Sequence, residues 1–265
     1  MKNLFDLTGK VVAITGGAGN LGTAMTAALL DYGANVAVIG RVDRLGAEFT
    51  PWREKGVLEF ISRDLAEPDG ARQALADVAA RFGGLDVLVN NAAYGGGSGG
   101  KSCEFRLDKV DDDTWNTGID GTLGVAFRCT RAAIPLLEER GGGAIVNIGS
   151  MYGLVAPDFA IYGDDIPWNP PSYGTGKAGL IQFTRYCAAA LAPKKIRVNA
   201  LTPGPFPNVT PQSDAGFIER LSNKTMLRRT GRADELAGAL ILLCSDASSF
   251  MTGSNIVVDG GMTSW

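Results

Sequence analysis

A tyrosine and a lysine four positions apart, Tyr173 and Lys177, give the sequence its strongest chemical signal. The surrounding pattern predicts a helix over Ser172–Ala192, and residues at i and i+4 lie on the same helix face. A free tyrosine has a pKa of about 10, too high for a general base at neutral pH, but a neighbouring ammonium group favours the phenolate and lowers that pKa. Such a phenol can take a proton from an alcohol or give one to a carbonyl oxygen.

Ser150 is the third candidate catalytic residue, because it lies just after a predicted buried strand over Ala144–Ile148. Its hydroxyl group can donate a hydrogen bond to a carbonyl oxygen on which negative charge develops. Serine at the end of a strand is also common as a simple cap, so the catalytic interpretation depends on Tyr173 downstream. We therefore predict Ser150, Tyr173 and Lys177 as the catalytic residues.

The composition of the chain excludes several other kinds of chemistry. Its 265 residues include no histidine, which rules out Ser-His-Asp and Cys-His mechanisms and any histidine-ligated metal site. We predict no metal. The formal net charge of −3 provides no basic footprint for nucleic acid or for an anionic membrane, so a small-molecule substrate is the favoured partner.

The cysteines and the hydropathy pattern indicate where the protein works. Cys103, Cys129, Cys187 and Cys244 are far apart and form no Cys-x-x-Cys pair. The last three lie in apolar helical stretches, where cysteine is typically a small buried hydrophobic residue, and this suits a reducing compartment. No secretion signal is evident, and no apolar run approaches the roughly 18 residues of a membrane span. We predict a soluble cytoplasmic protein without membrane or nucleic-acid partners.

The elements that must position these residues alternate along the chain. Apolar runs rich in β-branched residues predict strands buried on both faces at Lys10–Thr15, Asn35–Ile39, Val57–Ile61, Leu85–Asn90, Ala144–Ile148, Ile196–Leu201 and Asn255–Val258. Helical periodicity predicts helices between them at Leu21–Tyr32, Gly70–Phe82, Asp112–Glu139, Ser172–Ala192, Ala215–Thr225 and Ala233–Cys244. This alternation predicts an α/β fold, a single domain over residues 1–265 with a Rossmann-type, doubly wound parallel sheet of about seven strands and helices on both faces.

A glycine-rich segment at residues 15–22 lies between the first predicted strand and the first predicted helix. Glycines let the backbone turn tightly and approach a pyrophosphate, and a helix N-terminus supplies free N–H groups. In this position the segment predicts a dinucleotide-binding loop. A tight turn that binds no ligand is the alternative.

The end of the second strand bears on the choice of cofactor. Enzymes that select NAD often place Asp or Glu here, where it holds the ribose hydroxyls and would repel a 2′-phosphate. Gly40 provides no such repulsion, and the guanidinium of Arg41 can bind a phosphate in bidentate fashion. This favours NADP(H) over NAD(H), although Asp43 and Arg44 lie close enough in the sequence to alter the balance.

Taken in their order along the chain, these motifs resemble those of the short-chain dehydrogenase/reductase family, and the resemblance covers nearly the whole sequence. The family carries Thr-Gly-x-x-x-Gly-x-Gly at the loop, and its Tyr-x-x-x-Lys motif matches as well. Thr15, Gly16 and Gly22 match the loop motif, while Asn20 stands at its middle glycine. Asparagine tolerates left-handed backbone geometry better than other non-glycine residues, so we expect the turn to survive.

Further matches extend the resemblance along the chain. Residues 90–93 are similar to the family's Asn-Asn-Ala-Gly, residues 64–65 to its adenine-contacting pair, and residues 203–204 to the motif that lines the nicotinamide. Residues 252–261 resemble the C-terminal strand that usually packs at a subunit interface, which implies a homo-oligomer, a tetramer or a dimer. Together with Arg41, the resemblance implies cofactor contacts from Gly16, Asn20, Leu21, Gly22, Asp64, Leu65, Asn91, Ala92, Tyr173, Lys177, Pro203 and Gly204.

The sequence departs from the family pattern at one position of the expected proton relay. Many relatives carry an asparagine in the helix after the fourth strand, and the resemblance gives it the role of holding a water in a relay through the lysine. Thr122 aligns with that asparagine. A threonine hydroxyl can hold a water too, so the relay is an open question, whereas the Ser-Tyr-Lys chemistry is not affected.

A second departure concerns the substrate pocket, whose elements we expect within residues 151–171 and 203–230. Ser150 and Tyr173 are 23 residues apart, a longer gap than is usual in the family. The extra residues lie within Pro157–Pro171 and include Asp164, Asp165 and Trp168. Carboxylates and an indole suit hydrogen bonding to, and stacking on, a polyhydroxyl compound. A plain surface or interface excursion is the equally open alternative.

The resemblance implies an NAD(P)(H)-dependent oxidoreductase that interconverts a secondary alcohol and a ketone, with a sugar- or polyol-like compound as the candidate substrate. Two alternatives remain. One is an isomerase or dehydratase that retains NAD, although such relatives usually have a larger C-terminal region than the one after Pro203. The other is a non-catalytic, redox-sensing protein that binds the cofactor, against which Ser150, Tyr173 and Lys177 argue.

Overall fold

Seven parallel strands form one sheet in the computed structural model, which describes residues 3–95, 107–162, 168–208, 210 and 213–265. The strands are β1 (Val11–Thr15), β2 (Asn35–Gly40), β3 (Leu58–Ser62), β4 (Val87–Asn90), β5 (Gly143–Ile148), β6 (Ile196–Pro203) and β7 (Asn255–Val258). Their order across the sheet is β3-β2-β1-β4-β5-β6-β7, and every neighbouring pair is parallel. The predicted fold class is confirmed, and each predicted strand ends within two residues of its expected bounds.

Helices pack on both faces of the sheet, as predicted. Those of the described residues are α1 (Asn20–Asp31), α2 (Thr50–Glu54), α3 (Gly70–Phe82), α4 (Asp112–Ile119), α5 (Val125–Glu139), α6 (Pro171–Leu191), α7 (Ala215–Asn223) and α8 (Ala237–Cys244). Single 3₁₀ turns include Met151–Gly153, Phe159–Ile161 and Ala233–Leu236. The last of these turns occupies the first part of a segment that we predicted as wholly α-helical, and α2 had no prediction.

The first strand illustrates how alternation fills both faces. Val12 and Ile14 lie in the hydrophobic cluster that includes residues of α1 and α8, whereas Val11 and Ala13 lie in the cluster formed with α3, α5 and α6. All four side chains are buried. Since successive side chains of a strand point to opposite faces, a continuous apolar run is what a strand covered on both sides requires.

The predicted helix over Asp112–Glu139 is interrupted, so the prediction of one regular helix is corrected. A π-helical turn over Asp120–Gly124 joins α4 to α5. Close packing accompanies this turn, because a Cβ added at Gly121 would lie 2.0 Å from the carbonyl oxygen of Tyr94. Such π-helical turns occur mostly as single turns inside α-helices, and they are frequent at functional sites.

The strand order predicts where a ligand binds. The chain reverses its direction of winding between β1 and β4, and in such sheets ligands bind there, at the carboxyl ends of the strands. Within the described residues, no helix has the length and apolar character of a membrane span. Cys129, Cys187 and Cys244 are buried and free, as predicted, and Cys103 lies outside the described residues.

Candidate active site

A cleft of about 780 Å³ lies at the carboxyl ends of the strands. It extends from the glycine-rich loop after β1 to the segments that follow β5 and β6. The residues predicted for the site all line it: Gly16, Asn20, Leu21, Gly22, Arg41, Asp64, Leu65, Asn91, Ala92, Ser150, Tyr173, Lys177, Pro203 and Gly204. The structure therefore brings the predicted residues together, and the role of each stays a prediction.

The loop after β1 turns at Gly16, whose φ of 64° lies in the left-handed region that favours glycine. Gly22 packs against this turn, because a Cβ at Gly22 would lie only 2.2 Å from the carbonyl oxygen of Gly16. The turn survives with Asn20 at the middle glycine position, as expected, but it does not use left-handed geometry at Asn20. Asn20 has no positive φ and is the first residue of α1, while Gly19 precedes it in an extended conformation.

The N-terminus of α1 has no side-chain cap. The first N–H groups of a helix lack partners within the helix, and the helix dipole adds a partial positive charge, so this end favours a bound anion. Gly16 and Gly22 leave the backbone bare beside it. The residues present thus fit the pyrophosphate of a dinucleotide.

Asn91 fixes the position of the loop from β4. Its Nδ2 donates to the carbonyl oxygens of Thr15 and Gly16, each at 3.0 Å. The Thr15 hydroxyl oxygen accepts from the backbone N–H groups of Asn91 and Ala92, also at 3.0 Å. Two of the predicted cofactor residues therefore hold the loop in shape, and Thr15, which was not among the predicted site residues, is their partner.

The end of the cleft next to β2 has a positive charge balance. Arg41 and Arg44 line it, and neither side chain has an ion-pair partner within the described parts of the chain. Asp43, which could have offset them, is bound to Arg53 at 2.6 Å and does not line the cleft. Gly40 provides no acidic side chain, so a phosphate group would meet two free guanidinium groups here.

Ser150, Tyr173 and Lys177 meet at the inner part of the cleft. The Lys177 Nζ lies 5.8 Å from the centroid of the Tyr173 ring and donates to the carbonyl oxygen of Ile148 at 2.7 Å. The Ser150 Oγ accepts from the N–H of Tyr152 at 3.2 Å, and a hydrogen bond links the side chains of Ser150 and Tyr173. The i, i+4 spacing on α6 and the end of β5 therefore produce one contiguous polar group.

Burial has the largest effect on the pKa of both Tyr173 and Lys177. It raises the pKa of Tyr173, an effect that the hydrogen bond with Ser150 partly opposes. Burial also lowers the pKa of Lys177 to about 8, because the ammonium group is almost fully removed from solvent. The sequence-based expectation that Lys177 lowers the tyrosine pKa is therefore corrected, since desolvation outweighs the neighbouring charge in this structure.

Thr122 does not line the cleft. Its hydroxyl donates to the carbonyl oxygen of Gly118 at 2.8 Å, inside its own helix. The same hydroxyl packs against α6, where a Cβ at Gly176 would lie within 1.8 Å of it. The hydrogen of the hydroxyl is thus used within the π-helical region, and the group is packed against the catalytic helix.

Arg128 on α5 is a supporting residue that sequence reasoning did not identify. It forms an ion pair with Asp120 at 2.6 Å and donates to the carbonyl oxygen of Leu65 at 3.1 Å. Tyr94, which lines the cleft, donates to Asp120 and accepts from Arg128 at 3.0 Å. Asp120 and Arg128 are eight residues apart, outside the i, i+4 spacing that marks a helical ion pair in sequence.

The far end of the cleft is walled mainly by aromatic and apolar side chains, from the two segments where we predicted the pocket. These residues are Met151, Tyr152, Tyr162, Asn169, Pro205, Phe206, Pro207, Phe217 and Leu221. Asp164 and Asp165 lie outside the described residues. Trp168 stacks on Phe159, with ring centroids 4.4 Å apart, and does not line the cleft, which removes it as a candidate stacking platform.

The two walls contact each other directly. They share a small hydrophobic cluster, separate from the two on the sheet, that consists of Ile161, Tyr162, Phe217 and Leu221. Lys224 forms an ion pair with Asp158, and the Nε of Arg220 donates to the carbonyl oxygen of Ile161 at 2.8 Å. The segment before Tyr162 and α7 are therefore braced against one another.

A family model and a characterised relative both match nearly the whole sequence. The protein family described as enoyl-(acyl carrier protein) reductase matches residues 16–263. A 2,5-dichloro-2,5-cyclohexadiene-1,4-diol dehydrogenase of Sphingobium indicum is 33% identical over 263 residues, which cover 97% of this chain and 98% of that protein. Both matches span the loop, the cleft and the C-terminal strand.

Two solved structures are similar over nearly the whole chain. A short-chain type dehydrogenase/reductase from Mycobacterium marinum is 32% identical with a TM-score of 0.83 and covers 100% of both chains. A gluconate 5-dehydrogenase from Burkholderia cenocepacia in complex with NADP and tartrate is 29% identical with a TM-score of 0.84, over 99% of this chain and 98% of its own. With the sheet order, the loop and the cleft described above, these matches show that the chain is an oxidoreductase of the short-chain dehydrogenase/reductase family.

Proposed function

We propose that the protein transfers hydride between NADP(H) and a secondary alcohol or the corresponding ketone. One observation carries this proposal: a single cleft connects an anion-binding loop at residues 16–22 with the buried group formed by Ser150, Tyr173 and Lys177. A dinucleotide that spans the cleft would present its reactive ring beside a proton donor. Hydride transfer to a carbonyl carbon needs both groups at one place.

In this proposal Tyr173 is the general acid and base. The bound nicotinamide supplies or accepts the hydride, and the phenol oxygen exchanges a proton with the substrate oxygen. The Ser150 hydroxyl donates to the same substrate oxygen and stabilises the negative charge that develops there. Because burial raises the pKa of Tyr173, the phenol is protonated at neutral pH, which is the form that ketone reduction requires. Lys177 would hold the nicotinamide ribose, and its protonated ammonium form would favour the phenolate form of Tyr173.

The preference for NADP(H) rests on Arg41 and Arg44, which line the cleft without an ion-pair partner within the described residues. Each guanidinium can bind a phosphate through charge-assisted hydrogen bonds. We assign the adenine contacts to Asp64 and Leu65 and the nicotinamide contacts to residues 203–204. The gluconate 5-dehydrogenase was solved with NADP, which supports the same choice.

For the substrate we propose a sugar- or polyol-like compound. The support is the naming of two similar proteins, one for gluconate and one for a ring diol. The wall of the pocket adds hydroxyl groups from Tyr152 and Tyr162 and an amide from Asn169 among apolar side chains. This combination suits a compact compound that has both an apolar ring face and hydroxyl groups.

We further propose that the chain works as one domain in the cytoplasm, as a homodimer or homotetramer. The three buried free thiols of Cys129, Cys187 and Cys244 support a reducing compartment. Exposed Phe250 and Trp265, near the C-terminal strand, support a subunit contact there. Sedimentation velocity of the purified protein tests this, and a single monomeric species at micromolar concentration would contradict it.

Absorbance at 340 nm tests the proposed function. Purified protein is given NADPH or NADH with keto-sugars, keto-acids and simple ketones, and NADP⁺ or NAD⁺ with polyols. We expect turnover with ketones that is faster with NADPH. Cofactor binding, seen by fluorescence, without turnover of any compound would instead favour the redox-sensing alternative. Conversion of a substrate without net change at 340 nm would favour the NAD-retaining isomerase or dehydratase.

A further inference from the structure

Two tyrosine hydroxyl groups meet inside the substrate end of the cleft. The Oη atoms of Tyr152 and Tyr162 are 3.0 Å apart, and either group can be the donor. Both residues line the cleft, although their side chains are only 8% and 7% exposed. Tyr152 lies in the 3₁₀ turn just after Ser150, and Tyr162 follows the turn Phe159–Ile161 that is braced against α7. The hydrogen bond therefore joins the two ends of one wall, and Tyr162 also packs against the other wall through Phe217 and Leu221.

The pair lies next to the proton-transfer group. The N–H of Tyr152 donates to the Ser150 Oγ at 3.2 Å, and its carbonyl oxygen would lie 2.9 Å from a Cβ at Gly174 on the catalytic helix. A negative charge on Tyr173 is close enough to raise the pKa of both phenols. A compact substrate whose reacting carbon lies at Ser150 and Tyr173 would therefore bring a neighbouring substituent to the pair.

The hydrogen-bonding capacity of the pair selects the kind of substituent. Each phenol has one donor, and one of the two is used within the pair. One O–H and several acceptor lone pairs remain for a ligand. A neutral hydroxyl group of a ligand can accept from the remaining O–H and donate to one of the lone pairs, whereas a carboxylate can only accept. Burial raises the pKa of Tyr152 and Tyr162, so both phenols stay neutral.

Charge at this end of the cleft also disfavours an acid. Among the described residues that line the substrate end, Lys177 is the one cation. Arg220 lies behind the wall, with its Nε on the carbonyl oxygen of Ile161 at 2.8 Å. Arg41, Arg44 and Arg63 line the other end, where β2 and β3 finish. A carboxylate beside the pair would thus be desolvated with only Lys177 to balance its charge, and the Nζ of Lys177 already donates to the carbonyl oxygen of Ile148, so its burial is costly.

We propose that Tyr152 and Tyr162 are specificity-determining residues whose linked hydroxyl groups bind a second, uncharged hydroxyl group of the substrate, close to the carbon that reacts. The proposal rests on the function proposed above and narrows its substrate class. The substrate is a neutral hydroxyketone or diol on a compact ring, and not one that places a carboxylate beside the pair.

Three ketones on one ring test the proposal with NADPH: 2-hydroxycyclohexanone, cyclohexanone and 4-oxocyclohexanecarboxylate. For the wild-type protein we expect kcat/KM to be about tenfold higher for the hydroxyketone than for cyclohexanone, with the acid no better than cyclohexanone. Tyr152→Phe and Tyr162→Phe should each lower the hydroxyketone-to-cyclohexanone ratio about three- to tenfold. Tyr32→Phe, a change at an exposed tyrosine outside the cleft, should keep the wild-type ratio.

Other results would overturn the assignment. One is a wild-type kcat/KM that is equal for 2-hydroxycyclohexanone and cyclohexanone, and another is a wild-type kcat/KM that is highest for the acid. A third is a loss of kcat/KM in the phenylalanine variants that is equally large for both neutral ketones. A second readout separates this failure from failure of the proposed function. If no ketone oxidises NADPH, cyclohexane-1,2-diol is titrated into the NADPH complex and cofactor fluorescence is followed. Binding that weakens in both phenylalanine variants would keep the hydroxyl site and reject the oxidoreductase, whereas no binding would reject both.

Discussion

The cofactor half and the substrate half of the cleft are built from different kinds of contact. In the cofactor half the backbone itself forms the surface, with Gly22 packed on the carbonyl of Gly16 and Asn91 bound to two loop carbonyl oxygens. In the substrate half the surface consists of side chains. The two walls are joined through a small cluster and an ion pair, and the hydroxyl pair of Tyr152 and Tyr162 lies within one of them.

This difference separates what the fold requires from what it allows to vary. The glycine-rich loop at residues 16–22, here called the backbone cradle, depends on glycines at fixed positions. Such a loop recognises a phosphate whatever the rest of the ligand is. A wall of side chains on connecting segments can change its chemistry without moving the sheet. Ser150, Tyr173 and Lys177 lie where the two halves meet, so changes there should affect the reaction, whereas changes in either half should affect one ligand.

The largest effect is expected at the junction of the halves. Tyr173→Phe removes the proton-transfer oxygen and retains the ring, so kcat should fall by about 10³-fold or more while NADPH binding stays within a few-fold. Steady-state kinetics at 340 nm and NADPH fluorescence titration measure the two quantities. Tyr186→Phe, on the exposed side of the same helix, is the matched control. A near-normal rate in the Tyr173 variant would disprove the general acid/base assignment.

A methyl group in the backbone cradle should have the next largest effect. At Gly22 the new Cβ would lie 2.2 Å from a backbone oxygen, so Gly22→Ala must displace the loop. We expect NADPH affinity to fall by about 30- to 100-fold, and the melting temperature by roughly 3–10 °C for an overpacking cost of about 1–3 kcal/mol.

The same substitution at Gly238 on α8 is the control for the cradle, because nothing lies within 4 Å of a Cβ there. Gly238→Ala should leave NADPH affinity unchanged and should not lower the melting temperature. Wild-type affinity in Gly22→Ala would show that the loop tolerates a side chain and that the backbone cradle is not what selects the cofactor. The titration and a thermal melt are made on both variants under one set of conditions.

The two halves also differ in how far sequence could predict them. The strands, the loop and the positions of Gly16, Ser150, Tyr173 and Lys177 follow from apolar runs and fixed local spacing, because each motif lies at the end of one strand or on one helix face. The survival of the turn with Asn20 was predicted, but not the helical conformation of Asn20, since that depends on where α1 begins and a glycine pattern does not specify it.

The substrate half was predictable only as a location. Residues 151–171 and 203–230 were expected to wall the pocket, but Tyr152 and Tyr162 were not identified, and Trp168 was given a role that its contact with Phe159 contradicts. These contacts join side chains from connecting segments that have no periodicity, so no spacing rule predicts them. One signal was present: Tyr152 lies two residues after the catalytic serine, where a side chain must be close to the substrate.

A change of cofactor preference is the third expected effect, and it sharpens the description of the cofactor half. Arg41→Ala removes a guanidinium that is free to meet a 2′-phosphate, so the ratio of kcat/KM for NADPH to that for NADH should fall about tenfold. Arg72→Ala changes an exposed arginine outside the cleft and should leave the ratio unchanged. Equal losses with both cofactors would remove the argument for NADP(H).

The smallest effect is expected where the two substrate walls are joined by charge. Asp158→Asn keeps an acceptor for the N–H of Ala160 but removes the ion pair with Lys224, so α7 should be held less firmly. Because the pair is partly exposed, we expect KM for the ketone to rise only about two- to threefold, with kcat and the KM for NADPH unchanged.

Salt and pH distinguish the loss of the Asp158–Lys224 ion pair, which we call the tether, from a general loss of stability. In 1 M salt the wild-type KM should approach that of Asp158→Asn, because exposed charges are screened there. Lys224 and the Ala160 N–H hold the pKa of Asp158 below its ordinary value, so the tether is present above that value and is lost only as the pH falls through the lowered pKa. Between pH 6 and 8 the two- to threefold difference in KM should therefore be constant. Asp69→Asn, which breaks an exposed pair with Arg72 between two residues that do not line the cleft, should not change KM for the ketone, and a similar rise there would mean that charge loss alone explains the result.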